Sequence, residues 1–410
     1  MTAAGLSEES VRQSNFVRDR LTGMAYGGLA TYAYVLYALG PLLPLLRQDL
    51  RFGYAVMSLH STAFAAGAVL TNLLFERIRR RLGYRTLFWV SAASLVAGGL
   101  LLATGAFVAV TLMAAAVAGI GGSLLQTTVL ALLSEHHGRY GPLRDRALVE
   151  ANASASASAL AAPLVIGGLQ AAGAAWNWSL ILPLAMAVVM YAVFRREPLR
   201  PGTDGPVPGT AGPGAALRLP TAFWILAALA GVVVGAEFCF VFYGSPQLTT
   251  VVGLTTGQAA TAMSLFYSGE LLGRLAGSRL TGTGALRSTP QLVVAALAVS
   301  AVGFLALWTT SVTWVALAGL FLSGFGMANL FPLTLSLAVS GARGQSGRAT
   351  ASVQLLVGAA IMLAPLLLGS LSDLIGVRAA FGAAGLLIPL AALLLALGHR
   401  TVSPEPQGTR

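Results

Sequence analysis

Charge is what this chain has least of. Only 10% of its 410 residues are charged, against 56% that are hydrophobic, whereas a soluble domain carries about 25% charged residues. So few charges cannot cover a surface in water, and lipid must be the solvent for most of the chain. Lysine is missing altogether: all 25 basic residues are arginine. The formal net charge of +11 still does not make a nucleic-acid binder, because the arginines stand in short clusters between apolar runs and read as topology signals. The single cysteine, Cys239, excludes an intrachain disulfide and any multi-cysteine metal site; it lies in an apolar run, where packing is its role. No metal-ligand spacing and no nucleophile with a base are present. The Gly-x-Gly elements follow no strand and lead to no Gly-Lys-Ser/Thr, so ATP-driven chemistry has no support. No cofactor, no metal and no enzymatic activity are therefore expected. The polar N-terminal stretch, with Arg12, Arg18 and Arg20, leads straight into a full-length apolar segment and is not expected to be a cleavable signal peptide.

What is abundant is glycine, 48 residues, together with long apolar runs. Small residues suit helices that pack closely in lipid. A spanning helix needs roughly 20 mostly apolar residues, and twelve such spans are expected, near 21–46, 54–75, 85–104, 107–134, 147–172 and 176–194, then 220–243, 258–280, 289–309, 313–340, 348–371 and 378–397. The intervening 195–219 is hydrophilic, rich in Pro and Gly, and too short for a domain; it reads as a flexible linker. The expected organisation is an all-α membrane protein with a six-helix bundle over 1–194, a linker over 195–219 and a second bundle over 220–410. Twenty-two of the 25 arginines fall on one side of these spans, among them Arg77, Arg79, Arg80, Arg81, Arg85, Arg139, Arg144, Arg195, Arg196 and Arg343. Only Arg47, Arg51 and Arg378 fall on the other. By the positive-inside rule both termini are expected in the cytoplasm, with the protein in the cell membrane.

The two halves repeat each other. A shift of 202 positions superposes Arg77 on Arg279, Gly67 on Gly269, Arg146-Ala147 on Arg348-Ala349, Ala162-Pro163-Leu164 with Gly167 on Ala364-Pro365-Leu366 with Gly369, and Pro44 on Pro246. In spans four and ten, Gly119-Ile-Gly121 matches Gly324-Phe-Gly326 at a spacing of 205. Six-helix halves of equal orientation repeat in parallel about an axis along the membrane normal. That arrangement suits a central site opened alternately to the two sides.

With this repeat and a basic inner loop expected between spans two and three, the chain resembles the major facilitator superfamily over essentially its whole length. That segment reads NLLFERIRRRLGYR, where the family carries a Gly-x-x-x-Asp-Arg-x-Gly-Arg-Arg-like motif. Asn72 stands for the Gly, Glu76 for the Asp and Arg77 for the Arg, and Gly83 follows an extra basic turn. The resemblance implies a charge clamp between helix ends involving Glu76, Arg77 and the repeat partner Arg279. It also implies that spans one, four, seven and ten surround a cavity. GELLGRLAGSRL (269–280) and SGFGMANLFPLTLSLA (323–338) look like the branch of fucose permease and related sugar carriers. Two features depart from common family patterns. Ala162-Pro163-Leu-Val-Ile-Gly167-Gly168 is one residue longer than the Gly-Pro-x-x-Gly-Gly element of many drug antiporters and lacks its first Gly. Span four has no arginine, unlike many proton-coupled members.

An ionisable group inside a bilayer costs at least about 2.5–3.5 kcal/mol on insertion scales, so each one needs a reason. Glu237 lies over half-way through span seven with no basic residue within a turn. A carboxyl there can take up and release a proton, which makes Glu237 the expected coupling residue; the alternative is an acid that only holds two helices together. Glu270 and Arg274 stand one turn apart in span eight and are expected to pair along the helix, as are Arg146 and Glu150 near the inner end of span five. Polar candidates for the cavity are Tyr26, Tyr34 and Tyr37, which offer ring faces and hydroxyls, with Gln126 and Asn329, and the repeat-related Asn152 and Gln354. His60, near an outer helix end, and His136-His137 read as structural or solvated, and Trp176 and Trp178 as interface anchors. The function expected is secondary active transport of a small organic solute, sugar-like or another metabolite, by a monomer coupled to protons. Efflux of a drug-like compound is the alternative, and a sensor or membrane enzyme on the same fold is a distant one.

Overall fold

A backbone in hydrocarbon must satisfy its own N–H and C=O groups, which leaves the helix as the natural solution for runs like these. The computed structural model describes residues 16–137, 141–197, 219–283, 288–342 and 345–401. Span one is Arg20–Leu50, capped by Asp19, whose carboxylate accepts the Thr22 backbone N–H at 2.9 Å. Spans two and three share one helical segment, Tyr54–Ala103. Val108–His136, Pro142–Ala171 and Ile181–Phe194 form spans four to six, the last entered through a tight turn at Trp176–Leu180. In the second half the spans are Thr221–Gln247, Thr256–Thr283 and Thr289–Thr309. Thr313–Met327 with Leu330–Ser340 forms span ten, Ser346–Ile375 span eleven, and Val377–Ala384 with Leu387–Thr401 span twelve. Ten segments among the described residues are long and apolar enough to cross a membrane. Tyr54–Ala103, with 50 residues, is long enough to cross twice, and with Thr256–Thr283 the segments make twelve crossings. An even number of crossings puts the start of the first described helix, Arg20, and the end of the last, Thr401, at one face.

One boundary differs from expectation. The basic segment after span two is not a loop; helix runs through it, and only Gly83 departs, at φ 70°. Arginine is a good helix former, and Glu76 braces this turn by accepting from Arg79 and Arg80 at i+3 and i+4. The reversal therefore falls on the one residue that enters left-handed space without strain. The linker lies mostly in residues 198–218, outside the described residues.

The repeat is visible in the packing itself. A side chain on Gly67 would strike the span-four backbone at Ala116 and Ile120, and one on its counterpart Gly269 would strike the span-ten backbone at Phe321 and Phe325. Gly119 lies against the Phe64 carbonyl and Gly324 against the Phe266 carbonyl, with Phe64 and Phe266 again 202 apart. Glycine is needed at these four positions because backbone touches backbone. Gly167 and Gly369 repeat the pattern between the halves: Gly167 admits Gly257 and Thr261 of span eight, and Gly369 admits Tyr54 and Ser58 of span two. The halves thus meet along spans five and eight on one side and spans two and eleven on the other, with span one crossing span seven where Gly40 meets the Val241 carbonyl.

Hydrogen bonds between the halves gather toward the arginine-poor face. Asp373, at the end of span eleven, accepts the backbone N–H groups of Tyr54 and Ala55, both at 2.8 Å. The Ser58 hydroxyl binds the Tyr243 hydroxyl and donates to the Pro365 carbonyl. Thr62 donates to the Met362 carbonyl at 3.0 Å, and Gln48 to Thr256 at 2.8 Å. This face is closed.

Candidate functional site

Three ionisable groups meet deep in the protein at the seam of the halves. Span seven presents Glu237, half-buried, and span eight presents Glu270 and Arg274. Four residues make one helical turn, so Arg274 reaches back to Glu270, its Nη2 donating to Oε2 at 3.2 Å. The Glu237 carboxyl lies within hydrogen-bonding reach of Glu270 and within electrostatic range of Arg274. The lack of a nearby basic residue in sequence is therefore misleading, because the partner arrives on the neighbouring helix. Tyr37 of span one joins the group: its hydroxyl is within hydrogen-bonding reach of Arg274, and its ring packs edge-on against Tyr267 at 5.0 Å. From the first half, Ser156 of span five accepts a hydrogen bond from Arg274 Nη1 at 3.2 Å.

The pair is loose. Two arginines elsewhere hold carboxylates by short paired bonds, Arg18 on Glu150 at 2.7 and 2.8 Å and Arg79 on Glu76 at 2.9 and 2.8 Å, while Arg20 on Glu197 and Arg146 on Glu150 make single bonds at 3.1 Å at exposed positions. The paired bonds fit the roughly 2.7–2.9 Å of charge-assisted bonds. Arg274 meets Glu270 through one bond at 3.2 Å, and Glu270 Oε1 and the Tyr267 hydroxyl are buried without a partner. Glu270 is 4% exposed and Arg274 is 42% exposed, so the acid is sealed in while the guanidinium faces open space. Half-buried rings of Tyr32, Phe238 and Phe325 stand on the same spans as Tyr37, Glu237 and Asn329.

The other candidates separate from this centre. Tyr26 donates to Glu150 at 3.1 Å, in a cluster where Arg18 and Arg146 also hold that carboxylate. Tyr34 is 1% exposed and donates to the Ser179 carbonyl in the turn that leads into span six. Asn329 donates to the Gly273 carbonyl at 2.6 Å, tying the break in span ten to span eight. Gln126 is half-buried on span four, Asn152 bonds its own helix at Leu148, and Gln354 is exposed. Glu76 pairs with Arg79 and Arg80 while Arg77 is exposed, and the Arg279 side chain lies outside the described residues. The recorded bonds of Glu76 and Glu150 all stay within the first half. His60 is fully buried, with Nε2 on Thr111 and Nδ1 on the Val56 carbonyl. Trp176 donates to Asp49 at 2.6 Å and Trp178 is exposed.

Two contributors carried no sequence signal as site residues: Ser156, one of many small residues in span five, and Tyr267, which no polar neighbour marks. The closure made by Asp373 was equally silent, since its partners are backbone N–H groups more than 300 positions away.

Comparison with known proteins agrees with this architecture. The sequence profile described as Major Facilitator Superfamily matches residues 25–344 and 287–410. An uncharacterized MFS-type transporter of Yersinia pestis is 27% identical over 154 residues, 37% of this chain and 39% of that protein's length. Among solved structures, an inward-facing bacterial homolog of the human lysosomal transporter Spinster superposes with a TM-score of 0.73 at 14% identity, covering 95% of this chain and 100% of that one. A nucleoside transporter gives 0.72 at 11% identity over 94% and 99% of the two chains. A peptide transporter gives 0.74 at 16% identity over 92% and 94%.

Proposed function

The chain belongs to the Major Facilitator Superfamily, and from that premise we propose that it is a proton-coupled secondary transporter that carries a small organic solute by alternating access. It is a multi-pass membrane protein and a transporter. The finer reading rests on one observation: Glu237 stands half-open at the seam of the halves beside Glu270 and Arg274. A carboxyl so placed is reached from one side of the membrane at a time as the halves rock, which is what coupling demands. The two bundles, 1–194 and 220–410 joined by 195–219, are the rocking bodies.

The arginine-rich face is assigned to the cytoplasm and the membrane to the cell membrane, because cytoplasmic loops carry the excess of arginine. The closed arginine-poor face then makes this the inward-open state. The half-buried rings of Tyr32 and Tyr37 on span one, Phe238 on span seven and Phe325 on span ten suit a hydroxylated metabolite, and relatives of this fold are a nucleoside and a peptide transporter. The same rings also fit a lipophilic compound moved outward, which is the competing reading.

The test is accumulation by proteoliposomes from a mixture of small metabolites and lipophilic cations, read by mass spectrometry with and without an imposed pH gradient. A hydrophilic solute that concentrates only when the gradient is present, in the direction of proton flow, is expected. Concentration of cations alone, against proton flow, would replace this proposal with efflux.

A further inference from the structure

Resting on that transport reading, we propose that Arg274 is the anion-binding residue of the central site and that the solute is a small organic acid whose carboxylate takes the guanidinium. Arg274 differs from Arg18 and Arg79, the two arginines that grip a carboxylate with both arms of the fork. Arg18 and Arg79 spend their planar fork on two short bonds to one carboxylate. Arg274 spends its fork on single 3.2 Å contacts to Glu270 and Ser156, with the Tyr37 hydroxyl also in reach. A buried ion pair stabilises only when its geometry is good and its remaining atoms are satisfied; here the one bond is long, and Glu270 Oε1 finds a partner only when a proton is shared with the neighbouring Glu237 carboxyl. The exposure divides in the direction a ligand would need, with the acid sealed and the guanidinium half open.

A carboxylate entering from the open side can complete the fork in the planar two-bond geometry that arginine favours. The chemistry points to a small carboxylate. Because Ser156 comes from the first half and Arg274 from the second, a bound anion also ties the two halves at mid-depth.

Charge counting gives the pH dependence. The ionisable groups facing Arg274 are Glu237 from span seven, Glu270 from span eight and Tyr37 from span one, with Tyr267 beside Tyr37 and the two carboxyls, and Tyr32 beside Tyr37. Span five contributes only the Ser156 hydroxyl, and span ten meets span eight through the uncharged Asn329. With one proton between the two carboxyls the set is neutral. A monocarboxylate brings it to minus one, and a second proton returns it to neutral, so binding tightens as the pH falls and one proton travels with each anion.

The experiment is thermal unfolding of the purified full chain with millimolar gluconate, glucose and glucosamine, which present a carboxylate, a neutral group and an amine on similar skeletons, and with further carboxylates paired with their amides. Ligands that bind the folded state raise the midpoint. A carboxylate is expected to raise it while its neutral and amine counterparts do not, more strongly at lower pH. Arg274→Lys keeps the charge but loses the fork, and should weaken binding about tenfold or more. Glu270→Gln combined with Arg274→Gln leaves no unpaired charge behind, so it folds, and it should abolish the response. The inference is overturned if that double variant binds a carboxylate as tightly as the parent, or if no carboxylate stabilises the parent. An amine or neutral solute that binds and is lost in Glu237→Gln would remove the anion assignment while leaving the transport reading standing.

Discussion

Asp373→Ala should open the arginine-poor face. In the structure this carboxylate accepts two backbone N–H groups, from Tyr54 and Ala55, at the first turn of span two, and Gly53 before them offers no side-chain cap. It acts as an N-cap supplied from the other half. Losing such a cap costs about 0.5–2 kcal/mol, and the carboxylate's interaction with the helix dipole adds about 0.3–1 kcal/mol. Because the contact exists only when this face is closed, the loss falls on the conformational equilibrium. Asp373 is exposed and screened, so about 1–2 kcal/mol is the reasonable total, a shift of about 5- to 30-fold in the ratio of closed to open. Asp373→Asn retains one acceptor oxygen and should shift it about half as far in free energy. The assay is the distance distribution between spin labels at Phe107→Cys and Trp314→Cys, both exposed on the arginine-poor side of different halves, in a Cys239→Ala background. A distribution that stays unchanged in Asp373→Ala would refute the latch.

Gly119→Ala and Gly324→Ala should each cost about 1–3 kcal/mol by forcing apart helices whose backbones touch. Gly168→Ala, which meets nothing within 4 Å, should leave thermal unfolding unchanged; equal behaviour of all three would contradict the packing. Asp19→Ala removes the cap of span one and should cost about 1 kcal/mol at neutral pH. Burial pushes the Asp19 carboxyl up, but bonds from Thr22 and His136 outweigh it and hold it below the usual carboxylate range. A lowered folded-state pKa means the contribution is present above the ordinary range and disappears as the pH falls through the lowered value, so parent and variant should converge in acid. A gap in unfolding midpoint that persists there would exclude the carboxylate as its source.

How much of this was legible in the sequence follows from what each feature depends on. The spans, their sidedness pattern and the parallel repeat depend on composition along the chain, and repeat-related glycines such as Gly67 and Gly269 could be paired from spacing alone. The tyrosines of span one show where this stops. At about 100° per residue, Tyr26 and Tyr37 share a face within about 20°, whereas Tyr34 is rotated about 80° from Tyr26 and ends up sealed against the turn into span six. Glu237 was legible as an anomaly, yet its partners were not, because Glu270 and Arg274 reach it only through the packing of spans seven and eight. Asp373 drew no reading from the sequence, because its partners are backbone N–H groups, which every residue has and which leave no mark in a sequence. The continuity of helix through the basic segment to Gly83 was missed because charge suggested a loop where helix propensity prevailed.

The most direct test of coupling through Glu237 is a paired measurement on Glu237→Gln, using the first solute that the parent protein concentrates in proteoliposomes. Glutamine keeps the shape and hydrogen bonding of a protonated carboxyl but cannot release a proton. The variant should still exchange labelled for unlabelled solute across membranes without a gradient, and should fail to concentrate it when a pH gradient is imposed. If Glu237→Gln concentrates the solute as steeply as the parent, coupling does not run through this carboxyl.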